Sequence, residues 1–484
     1  MSTMPTDSPQ VPDTGGVLRT GVRRAEPMVW LSAGAVTVAL MLLGGLLFLL
    51  ATRGFGHFWP QPLVLLQSAE QGPEAQLGVL LNREPVPGAT HRRLLLHRGG
   101  EDFFDSPLVW IDEATLQTRS EPPLALTIER REQGPVFAFA EAVESSTGAE
   151  FIADRGVDGQ LAAMDRARSG GDARLILRLA SGRRLSLAAQ DVVNVHAPNA
   201  MTSVDRIGFF LRSLGRFLHE SPRRGNVQGG VFPAIVGTVL LVMLMTMIVA
   251  PLGVLAAVYL QEYAQRGPLT RMVRIGVNNL AGVPSIVYGV FGLGFFVYGL
   301  GGSIDQLFFS AQLPAPTMGA PGLLWAALTM AMLTLPVVIV STEEGLARVP
   351  RSLREGSLAL GATRAEALFR VVLPAASQAV LTGLILAVAR ATGEVAPLIL
   401  VGVAKYAPSL PVSGDFPFVH LDRQFMHLGF YIYDLGFQSP YIETAEGMVF
   451  ATALLLVLIV LLLNLAAVML RSRLRNAFGV QELR

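Results

Sequence analysis

The chain has 484 residues, 51% hydrophobic and 15% charged, with a formal net charge of +1 and no cysteine. That composition points to membrane residence, leaves no basic footprint for nucleic acid, and excludes a disulfide framework, a thiolate metal site and a cysteine nucleophile. Lys405 is the only lysine, preceded by Ala404 and followed by Tyr406, so the chain cannot supply the G-K-[ST] of a Walker A loop, and a partner must hold any ATP that drives it.

In chain order, residues 1–27 are rich in Pro, Gly, Thr and Ser, carry Arg19, Arg23 and Arg24, and read as a disordered cytoplasmic tail. Residues 28–52 follow without a charge. That run is long enough to cross a hydrocarbon core of roughly 30 Å and exceeds the ~7–15 residues of a signal-peptide h-region, so it is expected to be a retained transmembrane helix.

Charges of both signs return in 53–228. Residues 124–142 alternate around Gln133-Gly134-Pro135, and 174–195 around Ser181-Gly182, two hairpin patterns. This stretch is expected to be an extracytoplasmic, β-containing domain ending in an amphipathic helix. Between Ser203 and Glu220, Ile207, Phe210, Leu211, Leu214, Phe217 and Leu218 make one apolar face, for the membrane surface or for packing on the domain.

Five more charge-poor spans are predicted, at 231–260, 275–304, 322–341, 372–404 and 447–470. Arginines gather in alternate segments: Arg19, Arg23 and Arg24; Arg266, Arg271 and Arg274; Arg348, Arg351, Arg354, Arg364 and Arg370; Arg471, Arg473, Arg475 and Arg484. The short loops between them hold only Lys405 and Arg423. The positive-inside rule then puts both termini, including the 476–484 tail, and the loop 342–374 in the cytoplasm, with 53–228 outside. The seven histidines, His57, His91, His97, His196, His219, His420 and His427, are scattered without metal-ligand spacing, so no metal site and no catalytic residue is assigned.

The stretch 341–402 carries the chemistry. Glu355, Gly361 six residues on, then Val371, Leu373 and Pro374 fit the spacing E-A-A-x3-G-x9-I-x-L-P, with Gly356 and Ser357 where alanines are usual. The spacing is similar to the cytoplasmic signature of ABC-importer permeases, whose loop forms two short helices split at the glycine and docks on the ATPase. Arg390 and Glu394 lie four apart, on one face of a membrane helix. An intramembrane charge costs about 2.5–3.5 kcal/mol on insertion scales unless it is paired or faces a cavity. The pair is therefore either a structural bridge or an anion site, the guanidinium fork matching an oxyanion and Glu394 favouring a protonated one such as hydrogen phosphate over sulfate. In 275–304, Asn278, Asn279, Ser285 and Tyr288 either bond between helices or line a path.

Together GGVFPAIVGT (229–238), APLGVLAAVYLQEYA (250–264), NNLAGVPSIVYGVFGLG (278–294), EEGLARVP (343–350), REGSLALGAT (354–363), VVLP (371–374) and ARATGEVAPL (389–398) resemble the A-type permease of the phosphate-specific ABC importer, over 229–475. The resemblance implies the six-helix type I ABC importer permease fold. It implies a non-enzymatic inner-membrane subunit for phosphate import, paired with a homologous C-type permease. Two copies of an ABC ATPase would bind ATP and Mg, and a periplasmic phosphate-binding protein would deliver substrate. Arg390 and Glu394 fall on the family's phosphate-path positions. The 53–228 stretch exceeds the short external loop of the plain family. The alternatives are a sulfate or molybdate permease, a secondary transporter, and a membrane-anchored sensor or scaffold.

Overall fold

A computed structural model describes residues 15–69, 75–88, 90–100, 102–145, 148–170, 173–265 and 267–477. Among the described residues, six helices are long and apolar enough to cross a membrane: Met28–Gly56, Phe232–Tyr263, Ser285–Phe308, Leu323–Arg348, Arg364–Gly393 and Ile442–Met469.

The first belongs to α1 (Gly15–Gly56). Residues 15–27, expected to be disordered, are its helical beginning, because Leu18, Arg19, Arg23, Arg24 and Ala25 are good helix formers and extending an existing helix avoids the cost of nucleation. Residues 1–14 and 478–484, with Arg484 and Arg266, lie outside the described residues.

The inserted region folds as two antiparallel sheets. β1 (Leu63–Ser68), β2 (Gln76–Pro85), β3 (Arg92–His97), β4 (Leu108–Asp112) and β5 (Leu116–Ser120) form the first, in the order β4-β3-β2-β1-β5. The second holds β6 (Ala125–Arg130), β7 (Val136–Ser145), β8 (Gly148–Phe151), β9 (Arg174–Arg178), β10 (Arg184–Ala188) and β11 (Val192–His196), ordered β10-β9-β7-β6-β11 with β8 on β7. Both predicted hairpins are present, as β6–β7 and β9–β10. Helix α2 (Val157–Gly170) covers the second sheet through Ala163, Met164 and Ala167. Leu63 and Leu77 meet Ala125 and Phe137 where the sheets touch. Asn199 ties the entry of the domain to its exit, exchanging hydrogen bonds of 2.9 and 2.8 Å with the backbone of Leu63.

The exit leads into α3 (Ser203–His219), started by a Thr202–Asp205 capping box. Its face of Phe210, Leu214, Phe217 and Leu218 packs on the membrane core and the end of α1, with the Phe58 and Phe217 rings 5.0 Å apart, while Ile207 and Leu211 stay exposed. A two-residue-strand hairpin at 222–229 then turns the chain into α4 (Phe232–Val258), which one wider turn prolongs over Tyr259–Tyr263.

The predicted third span is corrected at its start. Residues 268–280 form a separate amphipathic helix, α5 (Pro268–Leu280), with no buried residue, and the span begins at α6 (Ser285–Phe291), continuing through wider turns into α7 (Gly302–Phe308). Pro284 explains the break: proline lacks an N–H and disfavours helix at the residue before it. Next come α8 (Leu323–Arg348), the loop helices α9 (Arg351–Ala359) and α10 (Arg364–Ala367), and α11 (Leu373–Gly393), reached from α10 through the wider turn Leu368–Val372.

The predicted 372–404 span is also broken. Helix α11 stops at Gly393, Glu394 is extended (φ −81°, ψ 131°), and α12 (Ala396–Val401) restarts the chain. Pro397 would meet the carbonyl of Gly393 in a continuous helix. After α13 (Leu428–Tyr433), α14 (Ile442–Ala477) forms the last span. Helices α4, α8 and α11 make the membrane core around Leu241, Met245, Ala327, Met330, Val338 and Ala387. Small residues let α8 and α11 approach closely: a Cβ on Gly345 would lie 2.4 Å from that of Ala379.

Candidate functional site

Two features stand out in the membrane core, a pair of broken helices and a helical loop tied to the helix ends.

Arg390 lies in the last turn of α11 and Glu394 is its C-terminal cap. Although the helix ends between them, they stay paired, Arg390 Nε 3.5 Å from Glu394 Oε1. That separation is long for a hydrogen bond, and Nε is buried with no hydrogen-bond partner among the described residues. The Arg390 side chain retains 35% exposure and that of Glu394 22%. A cation also suits the carbonyl end of α11, where the helix dipole is negative.

The two helix breaks are neighbours. Gly289 of α6 abuts Pro397 of α12, where a Cβ on the glycine would lie 2.7 Å from the proline Cα. Tyr288, 4% exposed, donates to the carbonyl of Leu280 across the α5–α6 gap at 2.7 Å. The break at Glu394 falls in the membrane core, where non-helical backbone is tolerated if protein buries it or if it lines a cavity.

Of the other predicted path residues, Asn278 and Asn279 sit near the end of α5, both exposed, outside the span that begins at Ser285. They are not brought against Arg390 by any hydrogen bond among the described residues. Tyr288, which the sequence left either as a bond between helices or as part of a path, bonds across the α5–α6 gap.

The loop has the predicted form. Helices α9 and α10 are split at Gly361, whose φ of +92° is left-handed and suits glycine. A Cβ there, or on Gly356, would meet nothing within 4 Å, so Gly361 is needed for backbone conformation and Gly356 leaves open space. Glu355, Gly356 and Gly361 are exposed, and Ser357 is half-buried, donating to the Arg354 carbonyl at 2.8 Å. Leu373 and Pro374 begin α11, half-buried. Leu360 at the turn is 91% exposed and Phe369 60%.

The loop is joined to the membrane helices by arginines that the spacing does not reveal. Arg354 of α9 pairs with Glu262 at the end of α4 (3.0 Å) and donates to the Leu346 carbonyl of α8. Arg274 of α5 lies 3.5 Å from Glu343 of α8 and donates to the Leu260 carbonyl at 3.0 Å. Four helices thus meet at the loop through two guanidinium groups.

Known proteins match the second half of the chain. The family described as "Binding-protein-dependent transport system inner membrane component" matches residues 249–476. A "Phosphate transport system permease protein PstA" of Yersinia pestis is 33% identical over 256 residues, 53% of this chain and 77% of that protein. "Phosphate transport system permease protein PstA 1" of Mycobacterium tuberculosis (strain CDC 1551 / Oshkosh) is 34% identical over 271 residues, 56% of this chain and 78% of its own. Among solved structures, an inward-facing MetNI methionine ABC transporter has a TM-score of 0.34 at 22% identity, covering 51% of this chain and 94% of that one.

Proposed function

The chain belongs to the family of PstA-type phosphate transport system permeases, and from that premise we propose that it forms half of the membrane path of an ATP-driven importer, carrying inorganic phosphate inward from the periplasm. The observation that carries the reading is Arg390, a guanidinium inside the membrane core, beside two helix breaks, still 35% exposed in the single chain. A charge so placed faces a cavity or a partner surface, because lipid would make it costly.

Exposure of Arg390 supports a site completed by a homologous C-type permease. Arg390 attracts the oxyanion and Glu394 selects one that can donate a proton, as hydrogen phosphate does and sulfate does not. In this reading Asn278 and Asn279, exposed at the end of α5, belong to the approach to the path. The exposed loop surface around Leu360, with Glu355, Gly356, Ser357 and Gly361, is the docking face for an ABC ATPase, two copies serving the pair. Leu373 and Pro374 pass its motion to α11, while ATP and Mg stay on the ATPase. A periplasmic phosphate-binding protein delivers substrate. The arginine bias puts the loop and the termini in the cytoplasm and the β-domain outside.

The experiment is ATP-dependent uptake of radiolabelled phosphate into proteoliposomes holding this chain with its permease, ATPase and binding-protein partners. Uptake that requires all of them, at a stoichiometric ATPase content, is expected. Uptake without the ATPase would point to a secondary transporter instead.

A further inference from the structure

Among the described residues, helix α3 is packed on two of its sides and bare on a third. Towards the β-domain it turns Phe209, whose ring centroid lies 4.5 Å from that of His196 on β11, and Arg216, which pairs with Glu129 of β6 at 3.0 Å. Towards the membrane core it turns Phe210, Leu214 and Phe217. The Phe210 ring stands 6.1 Å from Phe55, 6.3 Å from Phe58 and 6.3 Å from Trp59, residues at and just beyond the end of α1.

The third side is apolar. Val204, Ile207 and Leu211 are 78%, 53% and 60% exposed, and their spacing of three and four puts them in one stripe. At about 100° per residue, Ile207 lies roughly 180° around the helix from Arg216, and Leu211 roughly 160° from Phe209. The stripe therefore looks away from the β-domain. Its edge meets the packed face, Ile207 standing roughly 20° from Leu214.

The neighbours of the stripe say what covers it. The span Met28–Gly56 of α1 is long and apolar enough to cross the membrane, and its Leu46, Phe48 and Phe55 are exposed, so they face lipid. Contact with Phe55 in the last turn of that span sets α3 where the span leaves the hydrocarbon. A helix held at that depth, with a soluble domain on one side, has lipid on the opposite one. Trp59, 42% exposed beside Phe210, is a residue type that collects at such a boundary.

We propose that α3 is an interfacial helix, with Val204, Ile207 and Leu211 entering the boundary between headgroups and acyl chains in the leaflet from which α1 emerges. An apolar stripe with an exposed charged margin of Asp205 and Arg212 fits that position. The β-domain is then seated on lipid through α3 as well as tethered by α1. This placement rests on α1 spanning the membrane and is independent of what is transported.

The chain has no cysteine, so Ile207→Cys, Leu211→Cys and Arg212→Cys each provide a single site for a bimane label on the full chain. Labelled chains in nanodiscs are exposed to lipids carrying a doxyl quencher near the top of the acyl chain, and separately to aqueous iodide. The labels at 207 and 211 should be quenched by doxyl lipid severalfold more than the label at 212, and the order should reverse with iodide. Equal quenching at all three positions, or greater iodide access at 207 and 211, overturns the proposal. The same labels are read in the complex assembled with permease, ATPase and binding-protein partners. Doxyl quenching lost there without a gain in iodide quenching marks a protein on the stripe and likewise overturns it. A second measurement needs no label: Ile207→Ser with Leu211→Ser should speed amide exchange over 203–212 severalfold in nanodiscs, while β6 and β11 keep their protection. Exchange unchanged by the double substitution would show that lipid does not hold the helix.

Discussion

Arg354 in α9 of the loop and Glu262 at the end of α4 stand 3.0 Å apart, charge to charge, joining the proposed ATPase-docking helix to a membrane helix far from it in sequence. Neither is strongly exposed, with side chains at 24% and 21%, so the pair is less screened than a surface bridge. Arg354→Ala is expected to leave ATP hydrolysis by the assembled complex running while phosphate uptake falls severalfold. The exchange Arg354→Glu with Glu262→Arg should recover part of it. Uptake and hydrolysis falling together would show an assembly defect instead.

Arg390 bears most of the anion attraction in the proposed path, and a charge-assisted hydrogen bond contributes about 1.5–3 kcal/mol. Arg390→Ala should therefore lower phosphate uptake roughly 10- to 100-fold with the complex intact. Glu394→Gln should instead narrow the preference for phosphate over sulfate, read by competition between the two labelled ions. Selectivity that does not move would reduce Glu394 to a partner of Arg390.

Much of this site was legible in the sequence, because its signals are local. The resemblance of the loop to the ABC-importer permease signature implied the split at Gly361, and an interval of four placed Arg390 beside Glu394. The break at Glu394 was missed although Pro397 marked it, since a long apolar run reads as one span. The Arg354–Glu262 and Arg274–Glu343 links join residues distant in sequence, and no local pattern records them. Asn278 and Asn279 were read as membrane residues because α5 lacks charges after Arg274, yet its amphipathic face and Pro284 end it before the span.

Gly361 requires its left-handed backbone, φ +92°, but has open space around it. Gly361→Ala should cost about 1 kcal/mol or somewhat more, from backbone strain alone, with uptake nearly kept. Gly361→Leu adds bulk to the docking face and should uncouple hydrolysis from uptake while the subunits still co-purify. Equal effects of the two variants would assign the role to the backbone rather than to the contact.

Arg130 of β6 is 1% exposed and holds Asp102 by two hydrogen bonds, 2.6 and 2.8 Å, beside the Gly134 carbonyl at 2.8 Å. Burial raises the Asp102 carboxyl, but the Arg130 bonds outweigh it and hold it below its ordinary value. Arg130→Ala removes the buried guanidinium and its hydrogen bonds to Asp102 and Gly134 and should destabilise the β-domain by roughly 1.5–3 kcal/mol. The check is protease sensitivity of the full chain, with new cleavage confined to the β-domain.

The junction of β-domain and membrane core should loosen in acid. His97 and His196 are 6% and 9% exposed, and burial lowers each to about 4, Arg224 adding to the effect at His97. At His196 burial also leads; Glu129 opposes it and Arg216 reinforces it. Burial would raise the Glu129 carboxyl, but Arg216, His196 and Asn194 bring it below its ordinary value. Both folded-state values lie below the unfolded value of 6.5, so the unfolded chain binds more protons between them and stability rises with pH there. The stabilisation is complete above about pH 6.5 and is lost as pH falls toward 4, on the order of 1–3 kcal/mol for each histidine. Hydrogen exchange of the full chain in nanodiscs should show 203–229 and the strand ends at His97 and His196 opening across that window. The double variant His97→Gln, His196→Gln should flatten the dependence, and protection unchanged down to pH 4.5 in the parent chain would refute it.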